Sequence, residues 1–198
     1  MNIFNKWRQD YDTMSLEQQV EFHKEIARQY PEQAHYDYDS VSEIIDTFKP
    51  NYILEFGCWR ADMAQQALDQ FDFIKSWTGI EICTEAIKLS RCSNSKFKYV
   101  FPKKFNWFED KRIYNADMIL ATHFIEHLSN QHFEQLTKYC KGVKQVYFEC
   151  PIADEGQNWL DDISTHKLEY GWKDVINLME LQGFKVYKIH QRGITFTT

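Results

Sequence analysis

From Tyr52 onward the chain alternates short apolar runs with helix-period segments, and this rhythm constrains the architecture more than any other feature. Strands are expected at Tyr52–Phe56, Ser76–Ile82, Phe97–Phe101, Met118–Thr122, Gln145–Glu149, Phe184–His190 and Ile194–Thr197. Helices are expected between them at Asp62–Phe71, Thr84–Ser90, Asn130–Tyr139 and Lys173–Gln182, the last closed by Gly183. Strands that alternate with helices are joined by crossovers, which puts helices on both faces of a parallel sheet. Only the last two strands break the alternation, as a hairpin turning at Arg192-Gly193. The fold expected is therefore α/β: a Rossmann-like, mostly parallel seven-stranded sheet flanked by helices.

Before the first strand the period is helical. Leu16, Val20, His23, Ala27 and Tyr30 share one face behind a Ser15 cap, with Pro31 as a stop, and Ser40 to Phe48 forms a second helix ahead of Pro50. Residues 1–48 read as an N-terminal helical cap and 49–198 as the core.

Charge and cysteine usage narrow the function. A net charge of −6 disfavours non-specific binding to nucleic acid or anionic membrane, since both polyanions need a basic partner. No run approaches the ~20 apolar residues that cross a bilayer, and the first residues lack a signal-peptide core. Five cysteines without a C-x-x-C pair give neither a disulfide framework nor a zinc knuckle. The expectation is a cytoplasmic protein with reduced thiols, no bound metal and a small-molecule partner.

An open parallel sheet binds its ligand beyond the carboxyl ends of its strands. After the first strand the chain reads Glu55-Phe56-Gly57-Cys58-Trp59-Arg60-Ala61 and enters a helix whose amides face the crevice. Gly57 is the expected turn residue, being able to take positive φ. The second strand ends in Gly79-Ile80-Glu81-Ile82, which puts a carboxylate where a ribose diol is held, able to accept from both hydroxyls at once.

These residues resemble the class I S-adenosylmethionine-dependent methyltransferases, over roughly Tyr52 to Phe196. Ile53 to Cys58 is similar to the family's nucleoside-binding motif and Gly79 to Ile87 to its second motif. Ala116 to Leu120 with Ile125 to Leu128, Val146 to Pro151, and Thr165-His166 through Phe184 are similar to later ones. The resemblance implies S-adenosylmethionine as cofactor, held by Glu55, Gly57, Cys58, Trp59, Arg60, Glu81, Ile82 and Thr122, with Arg60 and the following helix N-terminus toward its carboxylate. It implies direct in-line methyl transfer to a small molecule, with His123, Phe124 and His166 lining the acceptor pocket. The family's G-x-G-x-G spine stands here as Gly57, Trp59 and Ala61, and no acidic residue follows the third strand in Phe101 to Phe105. These departures keep a second reading open, in which the chain is a catalytically silent binding or scaffold module. Trp59 either packs beneath the turn or fills the crevice.

His123 has two readings, as a base or orienting group for the acceptor and as a structural histidine. The tetrad Ala121 to Phe124 lacks the [Asp/Asn/Ser]-Pro-Pro-Tyr pattern of nucleobase amine methyltransferases, which favours a small acceptor. Glu126-His127 is a poor metal pair, because adjacent helical residues do not point the same way, and the resemblance implies a packing and capping role for it. A basic block over 96–112 suits a solvated face, or contact with a polymer substrate in a third reading that the net charge disfavours. An acidic block over 149–169 follows the fifth strand, where it would attract a cationic acceptor.

Overall fold

A computed structural model describes residues 15–29, 37–100, 115–150, 168 and 170–198. The N-terminal helix α1 (Leu16–Gln29) begins with a reciprocal cap: Ser15 N–H donates to Gln18 Oε1 at 2.8 Å, and Gln18 N–H to Ser15 Oγ at 3.3 Å. Helix α2 (Tyr38–Phe48) starts earlier than its apolar period suggests, because Asp37 caps it by accepting from Ser40 N–H at 3.1 Å. Then follow β1 (Tyr52–Phe56), α3 (Asp62–Gln70), β2 (Ser76–Ile80), α4 (Thr84–Lys88), β3 (Phe97–Val100), β4 (Met118–Thr122), α5 (Asn130–Cys140), β5 (Gln145–Glu149), α6 (Trp172–Leu181), β6 (Lys185–Ile189) and β7 (Gly193–Thr197). A short 3₁₀ turn, Ile125–His127, joins β4 to α5. Gly183 N–H donates to Glu180 C=O and Phe184 N–H to Met179 C=O, closing α6 in a Schellman arrangement.

The seven strands form one sheet in the order β3-β2-β1-β4-β5-β7-β6. β1 to β5 pair in parallel, whereas β7 runs antiparallel to both β5 and β6. The expectation of a mostly parallel sheet is thus corrected to a mixed one, since the hairpin inserts its second strand beside β5 and leaves β6 at the edge. A bulge between Val186 and Lys188 interrupts that edge.

Alternation sorts the strand residues onto two cores. Leu54, Phe56, Ile119, Ala121, Val146 and Phe148 meet Phe133, Leu136, Val175 and Met179 of α5 and α6. On the other face Ile53, Trp77, Met118, Leu120 and Tyr147 meet Val41, Ile44 and Ile45 of α2 and Met63, Ala64 and Ala67 of α3. Asp117 pins the opposite end of the sheet by accepting from Asn51 and Tyr52 amides and from Lys144.

The strand order reverses between β1 and β4, so the crevice opens above their carboxyl ends. Helix α1 lies across it, packing on α4 at one side. Its Val20 joins Ile82, Phe124, Ile125 and Leu128 in the core, and its His23 ring sits edge-on to His127 at 6.5 Å. Burial and the neighbouring His127 charge lower the His23 pKa to about 3, so His23 is neutral there. No helix among the described residues is long and apolar enough to cross a membrane.

Candidate functional site

The first corner of the crevice is the loop after β1. Gly57 and Cys58 amides both donate to Ile80 C=O, which bends the chain sharply over the tip of β2. The loop then runs through three left-handed residues, Gly57 at φ +71°, Trp59 at +47° and Ala61 at +58°. These are the three positions of the glycine spine, so the curvature survives although two glycines do not. A Cβ on Gly57 would stand 3.0 Å from the Phe124 ring. Gly79 permits another close approach, since a Cβ there would lie 2.4 Å from Cys58 Sγ.

Left-handed backbone costs an ordinary residue ~1–2 kcal/mol, so something must hold the loop. Glu81 does so. Its Oε2 accepts from Trp59 N–H at 2.8 Å, and its Oε1 from Ile82 and Cys83 N–H at 2.8 and 2.7 Å. The carboxylate therefore clasps the loop to the tip of β2, using three of the ~four acceptor positions such a group offers. In this arrangement one ribose hydroxyl, rather than both, can be added without displacing an amide. Burial raises the Glu81 pKa, and the three amides oppose that rise.

The Trp59 indole packs against buried Cys83 and Ala86 at the start of α4, and Tyr99 Oη donates to the Trp59 carbonyl at 3.2 Å. Its indole Nε1 is buried with no hydrogen-bond partner among the described residues. The side chain thus lies on the β2 side of the crevice. Arg60 is 5% exposed; its Nη2 stands 3.4 Å from Asp62 Oδ2, and its Nε has no hydrogen-bond partner among the described residues. Glu55 lies beneath the loop and accepts from Trp77 Nε1 at 2.8 Å. Burial lifts its pKa to about 8 despite that bond, with the Glu81 charge adding to the rise, so near neutrality Glu55 is mainly the carboxylic acid. Burial, with Glu55 and Glu81 behind it, holds the Cys58 thiol far above its ordinary range.

The second corner joins the tips of β4 and β5. His123 follows β4 at φ +48°, with its N–H donating to Glu149 C=O at 2.7 Å. Three of the four non-glycine residues with positive φ among those described, Trp59, Ala61 and His123, border this crevice. The His123 ring stands between two buried carboxylates: Nδ1 is 3.4 Å from Glu126 Oε1 and Nε2 is 3.5 Å from Glu149 Oε1. The second contact is an ion pair without the alignment of a hydrogen bond. An ionised carboxylate only accepts, so facing one at each nitrogen suits an imidazole protonated on both. Burial works against that charge, but Glu126 and Glu149 together override it and raise the pKa to about 9.

Glu149 is fully buried and carries more than His123. Its Oε1 accepts from Asp37 N–H at 3.0 Å, where α2 begins, and its Oε2 from Tyr147 Oη at 3.2 Å. Sequence reasoning took Glu126 as half of a packing and capping pair and Glu149 as the start of an acidic block, and did not join them. Glu126 lies on the 3₁₀ turn after β4 and Glu149 closes β5, and only the parallel pairing of these two strands brings them to one ring.

The structure therefore brings Glu55, Gly57, Cys58, Trp59, Arg60, Glu81 and Ile82 together at one corner, with Thr122, His123 and Phe124 at the other. Phe124 bridges them by stacking on Phe56 at 5.8 Å between ring centroids. His166, residues 101–105, most of the basic block and most of the acidic block lie outside the described residues.

No protein-family model and no curated protein matches the chain by sequence. Solved structures match it by shape. The methyltransferase domain of bacterial CtHen1 superposes with a TM-score of 0.61 at 13% identity, over 81% of this chain and 97% of that one. Human N-acetylserotonin methyltransferase in complex with S-adenosylmethionine gives 0.65 at 11% identity, over 100% of this chain and 59% of that one. An O-methyltransferase family protein from Burkholderia thailandensis gives 0.65 at 10%, over 99% and 62%. With the strand order, the loop over β1 and the carboxylate at β2 already in place, the chain has the fold of the S-adenosylmethionine-dependent methyltransferases.

Proposed function

We propose that the chain binds S-adenosylmethionine and transfers its methyl group to a small molecule. The observation that carries this reading is the corner between β1 and β2: a left-handed loop at the topological switch point, clasped by a carboxylate from the neighbouring strand tip. The residues fit such a cofactor. Glu81 retains an acceptor position for a ribose hydroxyl, Ile82 offers apolar surface beside it, and the loop from Gly57 to Arg60 supplies backbone and a guanidinium toward the amino-acid end. Glu55 and Cys58 support the loop from below, and Thr122 with Phe124 forms the side toward the acceptor.

The cofactor supplies an activated methyl group. What this chain contributes is alignment and exclusion of water, the latter from α1 over the crevice. His123 orients the acceptor rather than taking its proton, since both of its ring nitrogens face carboxylates.

One observation favours the silent-module reading: Trp59 fills a glycine position, and its amide already occupies Glu81. Calorimetric titration with S-adenosylmethionine and S-adenosylhomocysteine separates the two. Saturable binding of both supports the enzyme, and absence of binding to either assigns the scaffold.

A further inference from the structure

The corner between β4 and β5 holds more negative charge than it neutralises. Glu126 and Glu149 are 4% and 0% exposed, and among the described residues His123 is the one cation in contact with them. A buried carboxylate left without a full complement of partners destabilises the fold. The shortfall has an address, because Glu126 Oε2 is buried and accepts no hydrogen bond from the described residues. Every other carboxylate oxygen of the pair is met: Glu126 Oε1 by His123, Glu149 Oε1 by Asp37 N–H and His123, and Glu149 Oε2 by Tyr147.

Two features fix the geometry around this orphaned oxygen. His123, which presents the ring to Glu126, is held in left-handed backbone that an ordinary side chain avoids. Glu126 itself is fixed from its backbone, since its carbonyl accepts from Leu168 N–H at 3.2 Å, across a long stretch of chain. An ionised carboxylate oxygen accepts, so the partner it lacks is a hydrogen-bond donor. Excess negative charge favours a donor that is also a cation.

We propose that Glu126 receives the ammonium group of an amine ligand, with Oε2 accepting one N–H and the Glu126–His123–Glu149 cluster neutralised by the added charge. This deepens the methyltransferase reading and rests on it for one consequence: the methyl acceptor is an amine, or carries one. The binding site itself stands without that consequence.

The smallest probes avoid any question of ligand shape. Methylammonium chloride and methanol are titrated separately into ¹⁵N-labelled protein while the His123 ring signals are followed by NMR, with sodium chloride at matched ionic strength as reference. Methylammonium is expected to saturate with an affinity at least about tenfold above that of methanol, the ordinary advantage of a charge-assisted bond. Glu126→Gln, which keeps the shape and removes the charge, is expected to abolish the difference. An equal response to methanol, a response matched by sodium, no response to methylammonium, or a preference surviving in Glu126→Gln each overturns the proposal. The wild-type comparison needs no folded variant. Titration with S-adenosylhomocysteine runs independently, so a protein that takes methylammonium but not the nucleoside retains the amine site and loses the methyl-transfer reading.

Discussion

At one corner of the crevice a buried carboxylate is met by backbone, and at the other by a side-chain ring. Glu81 is fixed by three amides that cannot titrate, rotate away or be exchanged for water without unmaking the loop. Glu126 and Glu149 instead face an imidazole, whose charge depends on pH and whose bonds are long at 3.4 and 3.5 Å. The same residue type is thus a structural clasp in one place and an adjustable charge in the other. Backbone donors make a rigid frame suited to holding a ligand in one pose, while an incompletely bonded charge cluster can respond to what enters.

The sharpest way to break this contrast is Glu149→Ala, which strands His123, Asp37 N–H and Tyr147 Oη in the interior. Removing one partner of a buried charge pair costs ~3–5 kcal/mol, and urea unfolding is expected to show a loss of that size. A loss under about 1 kcal/mol would mean the corner is already solvated. The clamp also has a pH signature. Since the folded pKa of His123 is raised from 6.5 to about 9, its contribution is complete below about pH 6.5 and disappears as pH rises through 9. His123→Gln is expected to flatten stability over that window.

At the other corner Glu81→Ala removes the acceptor for three amides. It is expected to cost ~1.5–3 kcal/mol in stability and at least about tenfold in affinity for S-adenosylhomocysteine, read by thermal denaturation and calorimetry. Unchanged nucleoside affinity would separate the clasp from any cofactor role.

A smaller effect comes from Glu55. Its pKa is raised from 4.5 to about 8, so the folded state binds a proton more tightly than the unfolded chain and stability falls as pH climbs between those values. Glu55→Gln keeps an acceptor for Trp77 and removes the charge. It is expected to match wild type near pH 4.5 and to become the more stable protein as pH rises through 8, measured by chemical denaturation at pH 4.5 and pH 9. Equal stability at both pH values would sink the assignment.

The smallest change is expected for Trp59→Gly. Glycine relieves left-handed strain of ~1–2 kcal/mol and forfeits the indole contacts with Cys83 and Ala86, two terms of opposite sign. Stability is expected to move by only about 1 kcal/mol, with nucleoside affinity kept. Binding by the variant and none by wild type would instead identify Trp59 as a plug and the chain as a silent module.

Much of the architecture is written in local pattern. The apolar runs at Tyr52–Phe56, Met118–Thr122 and Gln145–Glu149 became strands with the bounds their composition suggests, because β-branched and aromatic runs between helix periods have few other uses. The strand at Ser76 is shorter than expected, ending at Ile80, which frees Glu81 and Ile82 to turn toward the loop. A carboxylate after β2 was legible for the same reason: a strand tip beside a glycine turn is a fixed distance along the chain.

What sequence alone determines about this protein is therefore its set of strands and helices and the Gly57 and Glu81 ends of the first corner. These follow from periodicity, turn chemistry and spacing between near neighbours in the chain. Tertiary structure alone decided that β7 enters antiparallel beside β5, that the loop keeps its curvature through Trp59 and Ala61, and that Glu149 meets both Asp37 and the ring of His123. Those are pairings between residues far apart in the chain. Local preference gives them no signature, and they exist only once the sheet has set its strands side by side.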